Sequence, residues 1–401
     1  MSKRTIAIIF AGFFTLFVAF AIRYAYGLLL PYMIPSLGIS KTGAGIIYSS
    51  YFITYTVLSP LLGLLVDRFD ARKILTIFVI IMGAAAYLMS TSSSLIQASI
   101  FFALAGVGHS ACWVPVVTVV QRWVSETRRG MALAFVDLGS ASGIVVWSMV
   151  IPLIIGAFTW RSAWVSLGLC SFAAAGLNFF SIRSYPPVQL EHRGTQAESN
   201  RRISIRVTYS VILRDKKFYL IGLSYFLLSF SILIPFTFLT TYVTQVLMLP
   251  YKSATELLAV LAAAGAVGKL ILSHLSDNAG RIRIMMLCGV LVAAGGLGMG
   301  LVQSLSGLTI FSVVLGVGYG TIWPVYAASS QDFFSKEYAG SVVGLWTVYH
   351  GAGSIISPIL TGWTIDTTGS YTWMFVLVIT SAVLSSLLLL PINNKEARIG
   401  G

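Results

Sequence analysis

The sequence predicts an all-α membrane protein with twelve transmembrane helices in two pseudo-symmetric six-helix bundles. Three observations predict it. First, 57% of the 401 residues are AVILMFWYC and only 10% are charged; the mean hydropathy is +0.87. A soluble domain carries about 45–50% apolar and about 25% charged residues. About 20 apolar residues cross a bilayer, so this content suffices for roughly a dozen crossings. Second, the apolar residues fall into twelve runs bounded by charges or turn residues. Third, the two halves of the chain repeat at one sequence offset. The composition excludes a soluble enzyme, a disordered hub and a disulfide scaffold.

The first span, 6–32, follows Lys3-Arg4. Its start mimics a signal peptide, but the run continues past residue 30 with no clean small-residue cleavage site, so it is read as retained. The second, 43–66, ends at Asp67-Arg68, and the third, 74–92, begins after Arg72-Lys73. The fourth and fifth, 96–122 and 131–157, flank Arg122, Arg128 and Arg129, and the sixth is 160–183. Residues 184–217, the longest polar stretch and the one with Pro186-Pro187, read as a solvent-side linker. The second half gives 218–248, 254–276, 284–302, 305–331, 341–365 and 371–391. The domains are therefore 1–183 and 218–401, joined by 184–217.

The charges sort by side. With the N-terminus inside, the inner segments hold 21 of the 26 lysines and arginines, and the outer loops hold only Lys41, Arg161 and Lys252. The positive-inside rule then places both termini in the cytoplasm of a multi-pass cell-membrane (inner or plasma) protein. The net charge of +13 becomes a topology signal, and no nucleic-acid partner is expected. The lipid bilayer is the expected surrounding. The stretch Arg201-Arg202, Arg206, Arg214, Lys216, Lys217 suits anionic headgroups. Cys112, Cys170 and Cys288 each lie in an apolar run and read as small core residues. No phosphate loop, zinc-protease motif or nucleophile–base motif is present. No cofactor, no metal and no enzymatic activity are expected.

The repeat is specific. Gly106, Gly108 and Trp113 recur 210 residues later as Gly316, Gly318 and Trp323. The same offset links Asp67 to Asp277, Gly130 to Gly340 and Gly143 to Gly353. Two parallel repeats place a substrate site at their interface near the midplane. Gly139-x-x-x-Gly143, Gly316-x-x-x-Gly320 and Gly340-x-x-x-Gly344 read as close helix contacts. Pro60, Pro115, Pro152, Pro235, Pro324 and Pro358 are expected to kink their spans.

These residues resemble the major facilitator superfamily over essentially the whole chain. Its loop between helices 2 and 3 reads G-x-x-x-D-R-x-G-R-K, matched here by Gly63, Asp67, Arg68, Arg72 and Lys73, with Asp70 where the family has glycine. The second copy is Ser273, Asp277, Gly280, Arg281 and Arg283. The resemblance implies that Asp67, Arg68, Arg72, Asp277 and Arg281 form gating loops. Within the superfamily the chain is most similar to the monocarboxylate transporter and oxalate–formate antiporter branch. Tyr26-Gly27 and Pro31 in the first span, Trp160-Arg161-Ser162-Ala163-Trp164 and Gly344 through Gly351 carry that likeness. The branch's helix 8 arginine is Lys269 here, its helix 11 lysine is His350, and Gly265 stands where many proton-coupled carriers have an acid or amide. The helix 4 arginine and helix 5 Gly-Pro break of drug–proton antiporters are missing.

Five ionisable groups fall inside spans: Arg23, His109, Asp137, Lys269 and His350. A charge at the bilayer centre costs at least about 2.5–3.5 kcal/mol, so such groups face a partner or a wet cavity. Arg23 can hold a carboxylate bidentately, and Asp137 is the intramembrane acid available to pair with it. Lys269 offers a point charge. His350 can bind an anion and carry a proton. His109 lies near mid-depth of the fourth span, and Tyr26, Trp113, Tyr319 and Trp346 suit a cavity wall. The expected substrate-binding set is Arg23, Lys269, His350, Tyr26, His109, Trp113, Tyr319 and Trp346; the proton-coupling set is His350 and Asp137. The expected function is secondary active transport of a small organic anion, a monocarboxylate, by alternating access as a proton-coupled symporter. Exchange of carboxylates and proton-driven efflux of hydrophobic compounds are the alternatives. The partners are then the anion and protons, and the carrier is a monomer.

Overall fold

The computed structural model describes residues 2–183, 212–335 and 339–392, apart from the side chains of 63–68 and 126. Thirteen helices and no strands occur among them. They are α1 (Lys3–Leu37), α2 (Lys41–Arg68), α3 (Ala71–Thr91), α4 (Leu95–Ser110), α5 (Trp113–Trp123), α6 (Glu126–Ala157) and α7 (Trp160–Ser181). Then follow α8 (Lys216–Gln245), α9 (Tyr251–Ala279), α10 (Arg281–Leu301), α11 (Leu305–Phe333), α12 (Ala339–Thr368) and α13 (Thr372–Leu389). The twelve predicted spans are all present, with α4 and α5 together forming the fourth. Among the described residues, eleven segments are long and apolar enough to cross a membrane. The remaining span, α12, has 30 residues and is richer in glycine, serine and threonine. The predicted linker lies, as far as residue 211, outside the described residues.

Local chemistry sets the ends. Asp70, the departure from the family glycine, caps α3 by accepting from the Arg72 N–H at 3.0 Å. Ser94, Asp215 and Ser304 cap α4, α8 and α11 in the same way. The fourth span breaks at Ala111-Cys112. Pro115 lies four residues beyond Ala111, so it can neither donate to that carbonyl nor leave room for it. Pro60, Pro152, Pro235, Pro324 and Pro358 sit inside unbroken helices.

Contacts divide the chain into two units. One comprises Met1–Leu29 and Ser50–Arg202, and the other Leu30–Ser49 and Ile203–Gly401. In the first, α3 packs on α7 and α4; in the second, α11 packs on α9 and α10. The internal repeat reappears as repeated packing. A Cβ on Gly106 would lie 2.2 Å from the Tyr51 carbonyl, and one on Gly316 would lie 2.3 Å from the Leu261 carbonyl. Tyr51 and Leu261 are themselves 210 residues apart. Gly108 meets Phe78 and Gly318 meets Cys288, again at that offset. Only glycine permits these backbone approaches.

Gly139 and Gly143 behave as expected, against the Phe13 and Phe17 carbonyls at 2.2 and 2.1 Å. A Cβ on Gly320 would lie 1.8 Å from the Gly265 carbonyl, the tightest crossing of all. Gly340 and Gly344 correct the expectation: a Cβ at either meets nothing within 4 Å. Their spacing matches the motif, but among the described residues no helix crosses there.

The α1–α2 turn belongs to the second unit. Asp366, near the end of α12, accepts from the Lys41 N–H at 3.0 Å, the Thr42 N–H at 2.7 Å and the Thr42 hydroxyl at 2.6 Å. It thereby caps the first turn of α2 from another helix. Gly45 and Gly362 bring the two backbones together, and Ser49 donates to the Ile355 carbonyl at 2.6 Å. Asp366→Ala is expected to cost about 1–2 kcal/mol, the loss of a carboxylate cap. Thermal unfolding of the purified protein should show the lower midpoint; an unchanged midpoint would remove this contact from the stability account.

Candidate functional site

In the first unit, α1 carries Arg23 to a position only 6% exposed. Four aromatic rings surround its guanidinium: Phe52 at 4.6 Å from the ring centroid, Tyr24 at 5.1, Phe20 at 5.8 and Tyr55 at 5.9. Ring faces attract the cation and leave its in-plane N–H edge for hydrogen bonding. His109, at the end of α4 where the fourth span breaks, joins the same cluster. Phe20 and Tyr55 contact its ring edge-on at 5.2 and 5.3 Å. Its Nδ1 meets the Tyr51 hydroxyl at 2.5 Å. His109 thus ties α1, α2 and α4 together around Arg23.

The other predicted residues of this unit are placed differently. Tyr26 is fully buried and stacks on Phe102 at 4.9 Å. Trp113 is half-buried at the start of α5. Asp137 is half-buried on α6. Asp67 and Arg68 lie outside the described side chains. Arg72 lies 3.7 Å from Asp70 and over the Phe179 ring at 5.2 Å.

The second unit builds its own cluster around His350 on α12. The Ser229 hydroxyl contacts His350 Nδ1, and the Tyr225 ring stacks on the imidazole at 5.0 Å and 23°. Tyr225 stacks in turn on Tyr326 at 4.4 Å. Tyr326 is held by Ser224 at 2.6 Å, and Ser224 by Ser385 at 2.8 Å. Trp346, one turn before His350, is 1% exposed and donates from its indole N–H to the Phe218 carbonyl at 3.0 Å.

Lys269 is half-buried on α9. Four residues earlier, the Gly265 position explains one departure from the branch. A Cβ there would meet the Tyr319 ring at 2.9 Å and the Gly316 carbonyl at 3.2 Å. An acidic side chain has no room, and Tyr319 occupies the space. Arg281 forms an ion pair with Asp277 at 2.6 Å, its neighbour one turn back, and bonds Asp332 at 3.0 Å. These two predicted gating residues are therefore together, with Asp332 as a partner that the motif did not name.

Sequence reasoning missed Tyr51, Phe52, Tyr55, Tyr225 and Ser229. A signal for two of them existed: Tyr51 and Tyr55 are one helical turn apart on the face that meets His109.

The sequence profile of the Major Facilitator Superfamily matches residues 12–306 and 252–399. The chain belongs to that superfamily. It is a multi-span membrane transporter, and neither its fold nor its relatives are those of an enzyme. Among this superfamily member's relatives is the hexuronate transporter of Bacillus subtilis (strain 168), 23% identical over 99% of this chain and 97% of its own length. A probable sulfoacetate transporter, SauU of Cupriavidus necator, is 22% identical over 95% and 93%. Monocarboxylate transporter 12-B of Danio rerio is 24% identical over 88% and 79%, which bears out the branch resemblance. Among solved structures, the nucleoside transporter NupG superposes with a TM-score of 0.78 over 97% of this chain and 98% of its own, at 14% identity. A bacterial homologue of the lysosomal transporter Spinster gives 0.77 over 98% and 96%, also at 14%. Such likenesses carry the fold alone.

Proposed function

We propose that the chain carries a small organic anion, a monocarboxylate, across the membrane by alternating access. The observation that carries this reading is Arg23. A guanidinium cannot be deprotonated in a protein, so its burial at 6% exposure holds a fixed positive charge inside a span. The ring faces around it attract that charge, and a carboxylate is the group that a guanidinium edge fits best. The relatives named for hexuronate, sulfoacetate and monocarboxylate cargo support an anionic substrate.

In this reading Arg23 is the anchor in the first repeat, with Lys269 and His350 supplying positive charge in the second. Trp113 and Tyr319, both half-buried, are wall residues. Tyr26 and Trp346 are sealed in packing and act as supports, and His109 positions the rings around Arg23. Residues 1–183 and 218–401 are the rocking bundles, 184–217 is their linker, and both termini face the cytoplasm. The loop groups Asp67, Arg68, Arg72, Asp277 and Arg281 gate the cycle, and the working unit is a monomer.

His350 is the coupling residue, with Asp137 as its counterpart in the first repeat. The protonated form binds the anion, so uptake rises as pH falls. His350→Gln is expected to flatten the pH profile of uptake between about pH 7.5 and 5.5. The test is uptake of labelled acids into proteoliposomes with and without an inward proton gradient. Accumulation that needs the gradient supports symport. Dependence on internal anion, with no effect of the gradient, replaces symport by exchange.

A further inference from the structure

We propose that Asp366 is the latch that holds the outer mouth of the carrier shut, gripping the first turn of α2 while that side is closed and releasing it when the side opens. The proposal rests on the alternating-access reading above and adds the device that controls access from outside. Its first support is how two helices are shared out. α1 (Lys3–Leu37) and α2 (Lys41–Arg68) are each unbroken, yet their tip, Leu30–Ser49, packs with the second unit and their other residues with the first. Rocking of 1–183 against 218–401 must therefore either part the tip from the second unit or bend both helices. From Ile46 to Ser59, α2 has neither glycine nor proline, so a bend there would break backbone hydrogen bonds inside the membrane. Parting the tip costs less, because its polar groups lie at the ends of the spans, where water replaces the lost partners.

The second support is where the grip sits. Below the first turn of α2, the two helices meet backbone to backbone. A Cβ on Gly45 would lie 2.2 Å from the Pro358 carbonyl, and one on Gly362 would lie 2.2 Å from the Lys41 carbonyl. Neither glycine has a side chain to unhook. The polar contacts gather on Asp366, whose two oxygens take the Lys41 N–H, the Thr42 N–H and the Thr42 hydroxyl. The carboxylate thus holds the positive end of α2 through its free amides. The Lys41 ammonium turns instead to Gln245 Oε1 at 2.8 Å. Asp366 also stands in the last turn of its own helix, α12, where a negative charge is unfavourable. Its placement serves α2 and not α12. It is exposed to solvent even with these bonds made, so water takes it up as soon as it lets go.

Cross-linking tests this. The Thr42 hydroxyl lies 2.6 Å from the Asp366 carboxylate, so the two thiols of Thr42→Cys/Asp366→Cys are adjacent, and copper–phenanthroline should oxidise them to a disulfide. Counterflow of labelled phenylacetate in proteoliposomes should stop on oxidation and return on reduction with dithiothreitol, while neither single variant responds to the oxidant. A second readout needs no substrate. Ser49 is 1% exposed, so Ser49→Cys in intact cells reacts with a membrane-impermeant maleimide only while the tip is parted; protein without that substitution gives the background. Adding Asp366→Ala should speed this labelling by about five- to thirtyfold, the shift that loss of a carboxylate cap gives. Undiminished counterflow in the oxidised pair, with both thiols consumed, overturns the proposal, as does labelling that Asp366→Ala leaves unchanged. Failure of the disulfide to form contradicts the contact itself. Where the reduced pair is inactive, the labelling rate decides. If the wild-type protein carries no phenylacetate while the labelling behaves as expected, the latch stands and the organic-anion reading loses its support.

Discussion

Arg23→Gln is expected to lower carboxylate uptake by about 30- to 1000-fold in kcat/KM while the protein still folds. Removing one partner of a buried, hydrogen-bonded charge pair costs about 2–4 kcal/mol, and each 1.4 kcal/mol is tenfold. Glutamine keeps a polar stub among Phe20, Tyr24, Phe52 and Tyr55 but carries no charge to hold an anion. Arg23→Lys should recover part of the loss. The charge returns, but the bidentate edge and the planar guanidinium beside the Phe52 ring do not. Initial rates from proteoliposomes with matched protein content decide this, and size-exclusion profiles confirm that both variants fold. Equal rates in Arg23→Gln and wild type would remove Arg23 from the site.

Gly320→Ala is expected to destabilise the protein by more than about 3 kcal/mol, the upper range of core overpacking. The added Cβ would fall 1.8 Å from the Gly265 carbonyl. The obstacle is backbone, so α9 and α11 must separate, and their contact runs along much of the second unit. Gly344→Ala is the matched control. A Cβ there meets nothing within 4 Å, so the change should be neutral or stabilising by up to about 1 kcal/mol through helix propensity. Melting temperatures of the two purified variants should move far apart. Equal shifts would mean that the crossing at Gly320 does not hold these helices together.

The two GxxxG sequences also show where sequence reading stops. Gly316-x-x-x-Gly320 and Gly340-x-x-x-Gly344 are the same pattern, yet only the first lies at a crossing. The motif states that a close approach is permitted, and the neighbouring helix decides whether one is made. Proline shows the same limit. Pro324 passes inside α11, whereas Pro115, one register position away in the repeat, accompanies a broken span. The spans themselves were legible because hydropathy is a property of each segment alone. The repeat was legible because its glycines occupy backbone contacts that tolerate no substitute. The offset of 210 residues therefore survives both in sequence and in packing.

The candidate site was legible in part. Arg23, His109 and His350 stood out because an ionisable group inside a span is costly. That Arg23 and His109 share the Phe20 and Tyr55 rings was not legible, because it depends on how α1, α2 and α4 meet. Tyr225 and Ser229 escaped for the same reason: they matter only because α8 lies against His350 on α12. The branch's missing acid at Gly265 was visible as a departure. Its cause, the Tyr319 ring in that space, needed the packing of α9 against α11.

The most direct test of the central claim, that a fixed intramembrane cation carries an organic anion, is charge selectivity in solute counterflow. Proteoliposomes of the wild-type protein would be preloaded with unlabelled phenylacetate, or with its amine analogue phenethylamine, and diluted into the same compound carrying a label. The account predicts a transient overshoot of the labelled acid, no overshoot of the amine, and loss of the overshoot in Arg23→Gln. Overshoot of the amine from amine-loaded vesicles, with none of the acid from acid-loaded ones, would contradict it.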